Sequence, residues 1–223
     1  MMPSWLADLS DWAPITLEAL NKAAQQFSPI GGPDAWPRGC RVGRRIMNGE
    51  AVSPDEFGNE FVTGYLNAWR SRFPHSEARG LLDAMMECRD DILVLPAHLV
   101  EIEVTHLPRV ALAFERIAAV PRAASTTPSK VLSTMAPAAL VIWDQPIADH
   151  YGFAKNAAGY ARFLWCMRNT ARRLCQDSVG RCDRVGTTEL ERLATPPERG
   201  KPLPLAKLLD EWNWMSITLN KNR

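Results

Sequence analysis

Three observations predict that this protein is mainly α-helical. Apolar residues recur at steps of three and four along most of the chain, which is the spacing of one helix face. The segments with this spacing are bounded by proline, glycine and capping residues. Alternating strand patterns are scarce, and the one β-rich run, Leu140 to Trp143, is too short to build a sheet. We therefore expect an all-α fold.

Four helices are predicted from the apolar spacing, at residues 14–27, 53–73, 76–93 and 107–120. The start of the second is the clearest. Ser53 precedes Pro54, and Glu56 follows the serine by three residues, as in a capping box with proline at the first helical position. Pro74 should end this helix.

The strongest amphipathic pattern lies within residues 153–177, where an apolar stripe opposes a face rich in arginine. It predicts a helix that packs on the core and exposes a basic surface. Residues 194–214 begin with several prolines, which predicts a surface connection leading to a final helix. With 223 residues, 46% of them hydrophobic, the chain can bury one sizeable core, and we expect a single domain over 1–223.

The net charge of +1 gives no overall basic signature, so nucleic-acid binding would have to come from local clusters. Residues 37–45 and 155–184 are strongly basic, whereas 50–103 are rich in acids. Basic clusters of this kind bind phosphate in some proteins and are solvated helix faces in others. Composition leaves both interpretations open.

The chain has no apolar run of membrane-spanning length, and residues 1–14 carry acids and prolines where a signal peptide would be basic and then apolar. We therefore expect a cytoplasmic protein with no membrane partner. The five cysteines form no CxxC pair, which favours reduced thiols over disulfides or a zinc site. We expect no metal and no cofactor.

Residues 125–153, STTPSKVLSTMAPAALVIWDQPIADHYGF, combine a helix start carrying one lysine, an apolar run and a Trp-Asp pair. The part PSKVLSTMAPAALVIWDQPI resembles the segment that defines the helix-hairpin-helix DNA glycosylase superfamily. There, a hairpin and a helix lead into a short extended run whose aspartate begins the next helix. The segment is especially similar to that of small prokaryotic members, at nine positions: Ser129, Lys130, Leu132, Pro137, Leu140, Trp143, Asp144, Tyr151 and Gly152.

The resemblance covers residues 105–175, and the sequence departs from the family pattern at three points. The hairpin VPRAASTTPSK has no glycine, although the family uses a glycine-rich turn to hold a DNA phosphate. Lys130 precedes Asp144 by 14 positions, a shorter separation than in the better-known members. Cys175 and Cys182 match the first spacing of the iron–sulphur subfamily, but no further cysteine follows, so no cluster is expected.

The resemblance implies a helix-hairpin-helix glycosylase-like domain that hydrolyses the N-glycosidic bond of a flipped base in double-stranded DNA and leaves an abasic site. Its parts would be an N-terminal helical region (1–104), the hairpin and catalytic aspartate (105–185), and a C-terminal connection and helix (186–223), arranged as one unit or as two lobes. Small enzymes of this type could defend the cell against phages whose DNA carries bulky modified bases, for example glucosylated hydroxymethylcytosine. The alternative is a non-catalytic DNA- or protein-binding module on the same scaffold. We expect a monomer.

Asp144 is the predicted catalytic residue. Cleavage of a glycosidic bond leaves a positively charged, oxocarbenium-like sugar, which a fixed carboxylate stabilises. The same carboxylate could orient the attacking water. The simpler alternative is that Asp144 only caps the helix that follows, and one carboxylate can do both.

Lys130 has two possible roles: it is either an amine nucleophile that cleaves DNA through a Schiff base, or a phosphate contact or solvated lysine on its helix. The first would require burial to lower its pKa. Its short separation from Asp144 favours the second, so we expect a monofunctional enzyme. The expected base pocket contains Trp36, Trp143, His150 and Tyr151, of which the last two could equally pack in the core. The expected contacts with the DNA backbone are Arg38, Arg41, Arg44, Arg45 and Ser129.

Overall fold

The computed structural model describes residues 15–30, 34–123 and 125–219. Within them there are ten α-helices and no strand, which confirms the predicted all-α class. The helices are α1 (Leu17–Ile30), α2 (Trp36–Met47), α3 (Pro54–Phe57), α4 (Ala78–Leu93), α5 (Leu107–Ala118), α6 (Thr127–Met135), α7 (Gln145–His150), α8 (Ala157–Val179), α9 (Arg184–Ala194) and α10 (Leu205–Asn213). A first π-helix (Gly58–Asn67) continues α3, and a second π-helix (Trp214–Thr218) continues α10. Short 3₁₀ turns lie at His75–Glu77, Leu99–Glu101, Val104–His106 and Pro197–Arg199.

Most helices predicted from apolar spacing lie close to their expected bounds. The helices α4, α5 and α8 match the predictions at 76–93, 107–120 and 153–177. The helix α1 corresponds to the prediction at 14–27, although Pro14 lies outside the described residues. The proline-rich connection leads into α10, as expected.

The helix predicted at 53–73 begins as expected but changes its geometry. The Ser53 hydroxyl accepts a hydrogen bond from the Glu56 N–H at 3.2 Å, which is the predicted cap. Beyond Gly58 the helix widens into the first π-helix and ends at Asn67, well before Pro74. π-Helices are rare and are often found at functional sites.

Two helices were not predicted. The first is α2, most of which is the stretch 37–45 that the sequence identified only as a basic cluster. The second is α9. A Cβ atom at Gly39 would lie 2.7 Å from the Tyr65 ring, and one at Gly43 would clash with the Thr134 carbonyl. The two glycines therefore let α2 approach α6 and the first π-helix closely.

The helix α6 is the centre of the fold, because all nine of its residues are buried. It packs against α2 and α5. Two of its polar side chains find partners inside the helix: the Ser133 hydroxyl donates to the Lys130 carbonyl at 2.8 Å, and the Thr134 hydroxyl donates to the Val131 carbonyl at 2.7 Å. Internal hydrogen bonds of this kind allow a partly polar helix to be buried.

The extended run between α6 and α7 is also buried, and it carries Trp143 into an aromatic cluster. The indole ring lies 5.5 Å from Tyr160, 5.6 Å from Phe163 and 6.2 Å from Phe114, measured between ring centroids. The Tyr160 hydroxyl donates to the Val141 carbonyl at 2.9 Å. These contacts fix the run that presents Asp144.

The helix α8 is the longest of the described helices, with 23 residues. Asn156 caps its start by accepting a hydrogen bond from the Gly159 N–H at 2.9 Å, and Gly180 ends it with a φ of +71°. The face that includes Leu164 is buried, as the apolar stripe predicted. None of the helices in the described part of the chain is both long and apolar enough to span a membrane.

Candidate active site

Asp144 begins α7 at the end of the buried run. Its Oδ1 atom accepts a hydrogen bond from the Ile147 N–H at 2.9 Å, so the residue does cap the helix. The side chain is half-buried. Its other oxygen, Oδ2, accepts a hydrogen bond from the Thr218 hydroxyl at 2.8 Å. Both bonds hold the carboxylate in one orientation.

Thr218 belongs to the second π-helix, far from Asp144 in sequence. Sequence analysis expected one carboxylate oxygen to cap the helix while the other faced a substrate. The structure instead gives each oxygen a protein donor. Each carboxylate oxygen has two lone pairs, so both can accept a further hydrogen bond or face a cation.

Lys130 lies within α6 with 8% of its surface exposed. Its ammonium nitrogen Nζ is 2.8 Å from the Trp69 carbonyl and 3.0 Å from the Ser71 hydroxyl. Its own carbonyl accepts a hydrogen bond from the Tyr65 hydroxyl at 3.0 Å. Lys130 is therefore held at both ends by the first π-helix and by the turn that follows it.

Burial lowers the pKa of Lys130, and this effect outweighs the negative charges of Asp144 and Asp210, which act in the opposite direction. Desolvation also raises the pKa of Asp210, to which the charge of Asp144 adds. The charge of Asp144 therefore acts on both Lys130 and Asp210. A buried amine whose pKa is lowered is a candidate functional group.

The turn that holds Lys130 is closed by Asn67. The Asn67 side chain donates to the Phe73 carbonyl at 2.9 Å and accepts from the Phe73 N–H at 2.7 Å. Between them, Arg70 and Arg72 have φ values of +58° and +52°. Such left-handed conformations are uncommon for residues other than glycine and store strain. The turn is thus rigid, strained and attached directly to Lys130.

A second buried lysine, Lys207 on α10, lies beside this turn. Its side chain is fully buried, and its nitrogen is 2.8 Å from the Asp210 carboxylate and 3.5 Å from that of Glu211. The same nitrogen is 4.5 Å from the ring centroids of both Phe27 and Trp69. Trp69 therefore links the two lysines, because its carbonyl binds Lys130 and its ring faces Lys207.

Desolvation alone would lower the pKa of Lys207, but the carboxylates of Asp210, Glu211 and Asp34 reverse its effect and raise the pKa. Desolvation raises the pKa of Glu211 as well. Arg199 completes the cluster, with its guanidinium 2.8 Å from the Glu211 carboxylate. We call Asp34, Arg199, Lys207, Asp210 and Glu211 the buried charge cluster.

Half-buried aromatic side chains lie between the turn and the second π-helix. The Phe27 ring packs against Trp214 at 5.4 Å and against Trp69 at 6.4 Å, between ring centroids. Trp69 and Trp214 keep part of their surface exposed, and Trp214 shares the second π-helix with Thr218. This partly exposed aromatic surface is thus connected to Lys130 through Trp69 and to Asp144 through the second π-helix.

The structure corrects three of the expected contacts with base or DNA. Trp143 is only 1% exposed and packs in the aromatic core, so its ring cannot stack on a base. Trp36 is buried at the start of α2, 5.8 Å from Lys207. Ser129 is fully buried and accepts a hydrogen bond from the Trp143 N–H at 3.2 Å. It joins α6 to the run before Asp144 and cannot reach a DNA backbone.

The other two expected pocket residues lie at the end of α7. Tyr151 is buried, and its hydroxyl donates to the Asn213 side-chain carbonyl at 2.8 Å. Tyr151 therefore packs in the core, which was one of its two expected roles. His150 is exposed, with its ring 5.2 Å from that of Tyr151.

The arginines expected to contact the DNA backbone are largely neutralised within the protein. Arg38 and Arg41 share the carboxylate of Glu60, at 3.8 Å and 3.3 Å. Arg45 pairs with Glu56 and with Glu50. Arg44 is exposed. Because most of these charges are already paired, the placement argues against the expected clamp on α2.

The hairpin between α5 and α6 forms without glycine. Arg122 adopts the left-handed conformation, with a φ of +66°, that glycine usually supplies in such turns. The Ala123 N–H donates to the Val120 carbonyl at 3.0 Å. That amide is therefore already occupied and is not available to a phosphate.

Among the described residues, no group of three or more histidine, cysteine or acidic side chains is arranged to hold a metal ion.

No family model, curated protein or solved structure matches this chain.

Sequence analysis missed Thr218, Ser71, Lys207 and Asp210. A partial signal was available for two of them, because Lys207 and Asp210 lie one turn apart in the apolar segment LPLAKLLDEWNW. A lysine and an aspartate at this spacing on the apolar face of a helix indicate a buried ion pair. Nothing in the sequence marks Ser71 or Thr218, because their roles come from chain segments that meet only in the fold.

Proposed function

We propose that the protein is a DNA glycosylase that hydrolyses the base–sugar bond of a flipped, modified nucleotide and leaves an abasic site. The observation that supports this most is the carboxylate of Asp144, which begins α7 and is held in one orientation by two hydrogen bonds. The order α5, hairpin, α6, extended run and α7 is the order that the resemblance to the helix-hairpin-helix superfamily implies. The proposal includes a cytoplasmic, monomeric enzyme with double-stranded DNA as its partner.

In the proposed reaction, Asp144 stabilises the positive charge that develops on the sugar as the base departs. A carboxylate about 4 Å from a unit positive charge contributes about 4 kcal/mol at an effective dielectric of about 20. The hydrogen bonds from Ile147 and Thr218 hold the carboxylate in place before the reaction, so no reorganisation is needed when the charge appears. Asp144 also accepts a proton from the attacking water, or orients it.

The flipped base would stack on the half-buried aromatic surface beside the site. Trp69 and Trp214 replace Trp143 and Trp36 as the candidates, because they keep exposed surface next to the elements that hold Lys130 and Asp144. Stacking on aromatic rings contributes about 1–3 kcal/mol per base and offsets the cost of removing the nucleotide from the duplex.

A non-catalytic module remains the second candidate, and a specific observation favours it. The hairpin amide of Ala123 is bonded internally, and the arginines of α2 are paired with acids. Two of the expected contacts with DNA are therefore already satisfied within the protein. Such a module would bind its partner without breaking a bond.

Base release separates the two candidates. The protein is incubated with DNA from phages that carry modified bases, including glucosylated hydroxymethylcytosine, and with unmodified host DNA as the control. Released bases are measured by mass spectrometry, and abasic sites by an aldehyde-reactive probe. We expect both products from the modified DNA. Binding to DNA with neither product, from any substrate tested, would favour the non-catalytic module.

The role of Lys130 is tested separately, because burial lowers its pKa, which is the direction that an amine nucleophile requires. Its ammonium nitrogen is held by the Trp69 carbonyl and the Ser71 hydroxyl. We nevertheless propose hydrolysis by water. Lys130→Gln should therefore keep base release within about tenfold of the wild type.

Borohydride reduction during turnover gives the decisive readout for Lys130. Under the proposed mechanism it should trap no covalent protein–DNA adduct. An adduct that forms with the wild type and is lost in a folded Lys130→Gln protein would instead establish a Schiff base and a lyase activity. A melting curve for Lys130→Gln checks that loss of the two hydrogen bonds has not unfolded the protein.

A further inference from the structure

The turn between Asn67 and Phe73 carries two arginines that alternate along the chain with the groups that bind Lys130. Arg70 follows Trp69, whose carbonyl contacts the lysine, and Arg72 follows Ser71, whose hydroxyl contacts it. Both guanidinium groups belong to exposed residues. Among the described ion pairs none involves either arginine, in contrast to Arg38, Arg41 and Arg45 on α2.

The conformation of this turn is costly for arginine. Left-handed backbone is unfavourable for a residue with a Cβ atom, and here it occurs twice within three residues. Glycine would adopt the same conformation without that cost. The two hydrogen bonds between Asn67 and Phe73 keep the turn closed despite the strain. Strained turns that are held in this way cluster at ligand contacts.

We propose that Arg70 and Arg72 contact backbone phosphates of duplex DNA on either side of the nucleotide that enters the site. This inference rests on the proposed function, because the nucleotide is the one presented to Asp144 and Lys130. It transfers the phosphate-binding role from α2 to the turn that holds Lys130. Guanidinium groups suit this role because they form paired hydrogen bonds with phosphate oxygens.

The turn also connects DNA binding to the site. Phosphate contact by the two arginines fixes the position of the Trp69 carbonyl and the Ser71 hydroxyl, and these are the groups that orient the Lys130 amine. The Trp69 side chain in the same turn belongs to the aromatic surface on which the base would stack. The turn between Asn67 and Phe73 thus carries the proposed phosphate contacts, the groups that bind Lys130 and part of the aromatic surface.

The test compares the double variant Arg70→Gly/Arg72→Gly with the wild-type protein. Binding to an unmodified 20-base-pair duplex is measured by fluorescence anisotropy between 50 and 200 mM salt. Loss of two phosphate contacts should reduce the slope of log affinity against log salt by about 1.8, and affinity near 0.1 M salt by roughly 50-fold. The melting temperature should be unchanged or higher, because glycine relieves the left-handed strain.

Two matched variants control for charge and for location. Arg70→Lys/Arg72→Lys keeps both charges and should keep most of the slope. Arg38→Ala/Arg41→Ala removes two arginines that already share Glu60, and it should change the slope little. A slope that falls with the α2 variant and not with the turn variant would overturn the inference.

The outcomes also separate this inference from the proposed catalytic function. If the wild type binds duplex and the turn variant binds equally well, the arginines do not contact phosphate, while glycosylase activity can still stand. If the turn variant loses binding but wild type releases no base from any DNA, the inference stands and the catalytic proposal fails. A wild-type protein that does not bind duplex DNA contradicts both.

Discussion

Replacing Lys207 by methionine should lower the free energy of unfolding by about 3–5 kcal/mol, the usual cost of removing one partner from a buried ion pair. The lysine side chain is fully buried between the carboxylates of Asp210 and Glu211 and the rings of Phe27 and Trp69. Methionine keeps most of the apolar contact with these rings. The Asp210 carboxylate then remains buried without a cation, and Glu211 keeps only Arg199. Urea denaturation of both proteins at pH 7 measures the difference.

The pH dependence of this loss has a defined sign. Desolvation already raises the pKa values of Asp210 and Glu211, and removal of Lys207 takes away a charge that lowers both. In the variant, Asp210 and Glu211 therefore stay protonated to a higher pH in the folded state than in the unfolded state. Between the unfolded-state and folded-state pKa values of these groups, the stability of the variant falls as the pH rises. The loss relative to wild type should therefore be larger at pH 8 than at pH 5.

Lys201→Met provides the matched control, because it makes the same chemical change at an exposed lysine. Its unfolding free energy should stay within about 0.5 kcal/mol of the wild type. A Lys207→Met protein as stable as this control at every pH would mean that the buried charge cluster does not need its cation. The double variant Lys207→Met/Asp210→Asn should recover part of the loss, since it also removes one unpaired carboxylate.

The helices that could be predicted from sequence are those that bury one face and expose the other. The helix α8 buries one face, so the apolar stripe that includes Leu164 is visible in the sequence. The helix α6 is buried on all sides and polar in places, so it shows no stripe. The helix α2 was recognised only as a basic cluster, because its arginines lie between the buried positions and dominate the composition.

The site could be predicted only in part for a related reason. Asp144 and Lys130 stand out through a local motif, and the structure places both in one electrostatic environment. Their partners Ser71 and Thr218 come from distant segments and carry no motif. Trp143 was expected in a pocket because it neighbours Asp144 in sequence. Adjacent residues in an extended run point to opposite sides, however, so Trp143 enters the core while Asp144 remains half-buried.

Replacing Asp144 by asparagine should reduce base release by roughly a hundredfold or more, which corresponds to about 3 kcal/mol of lost electrostatic stabilisation. Asparagine keeps the size of the side chain and an oxygen that accepts the hydrogen bond from the Ile147 N–H. It removes the negative charge, which contributes only when the sugar becomes cationic. Single-turnover release of base from the modified DNA measures the effect, while DNA affinity and melting temperature should change little.

Asp183→Asn is the control, because Asp183 caps α9 through the same contact, accepting a hydrogen bond from the Gly186 N–H at 2.9 Å. The change is chemically identical and lies outside the proposed site, so base release should match the wild type. Asp144→Ala removes the cap as well as the charge, and it should cost about 1 kcal/mol of stability in addition to activity. If Asp144 were only a helix cap, activity would survive in the folded Asp144→Asn protein. That result would end the mechanism proposed for this site, because the negative charge of Asp144 is the group that stabilises the cationic sugar in it.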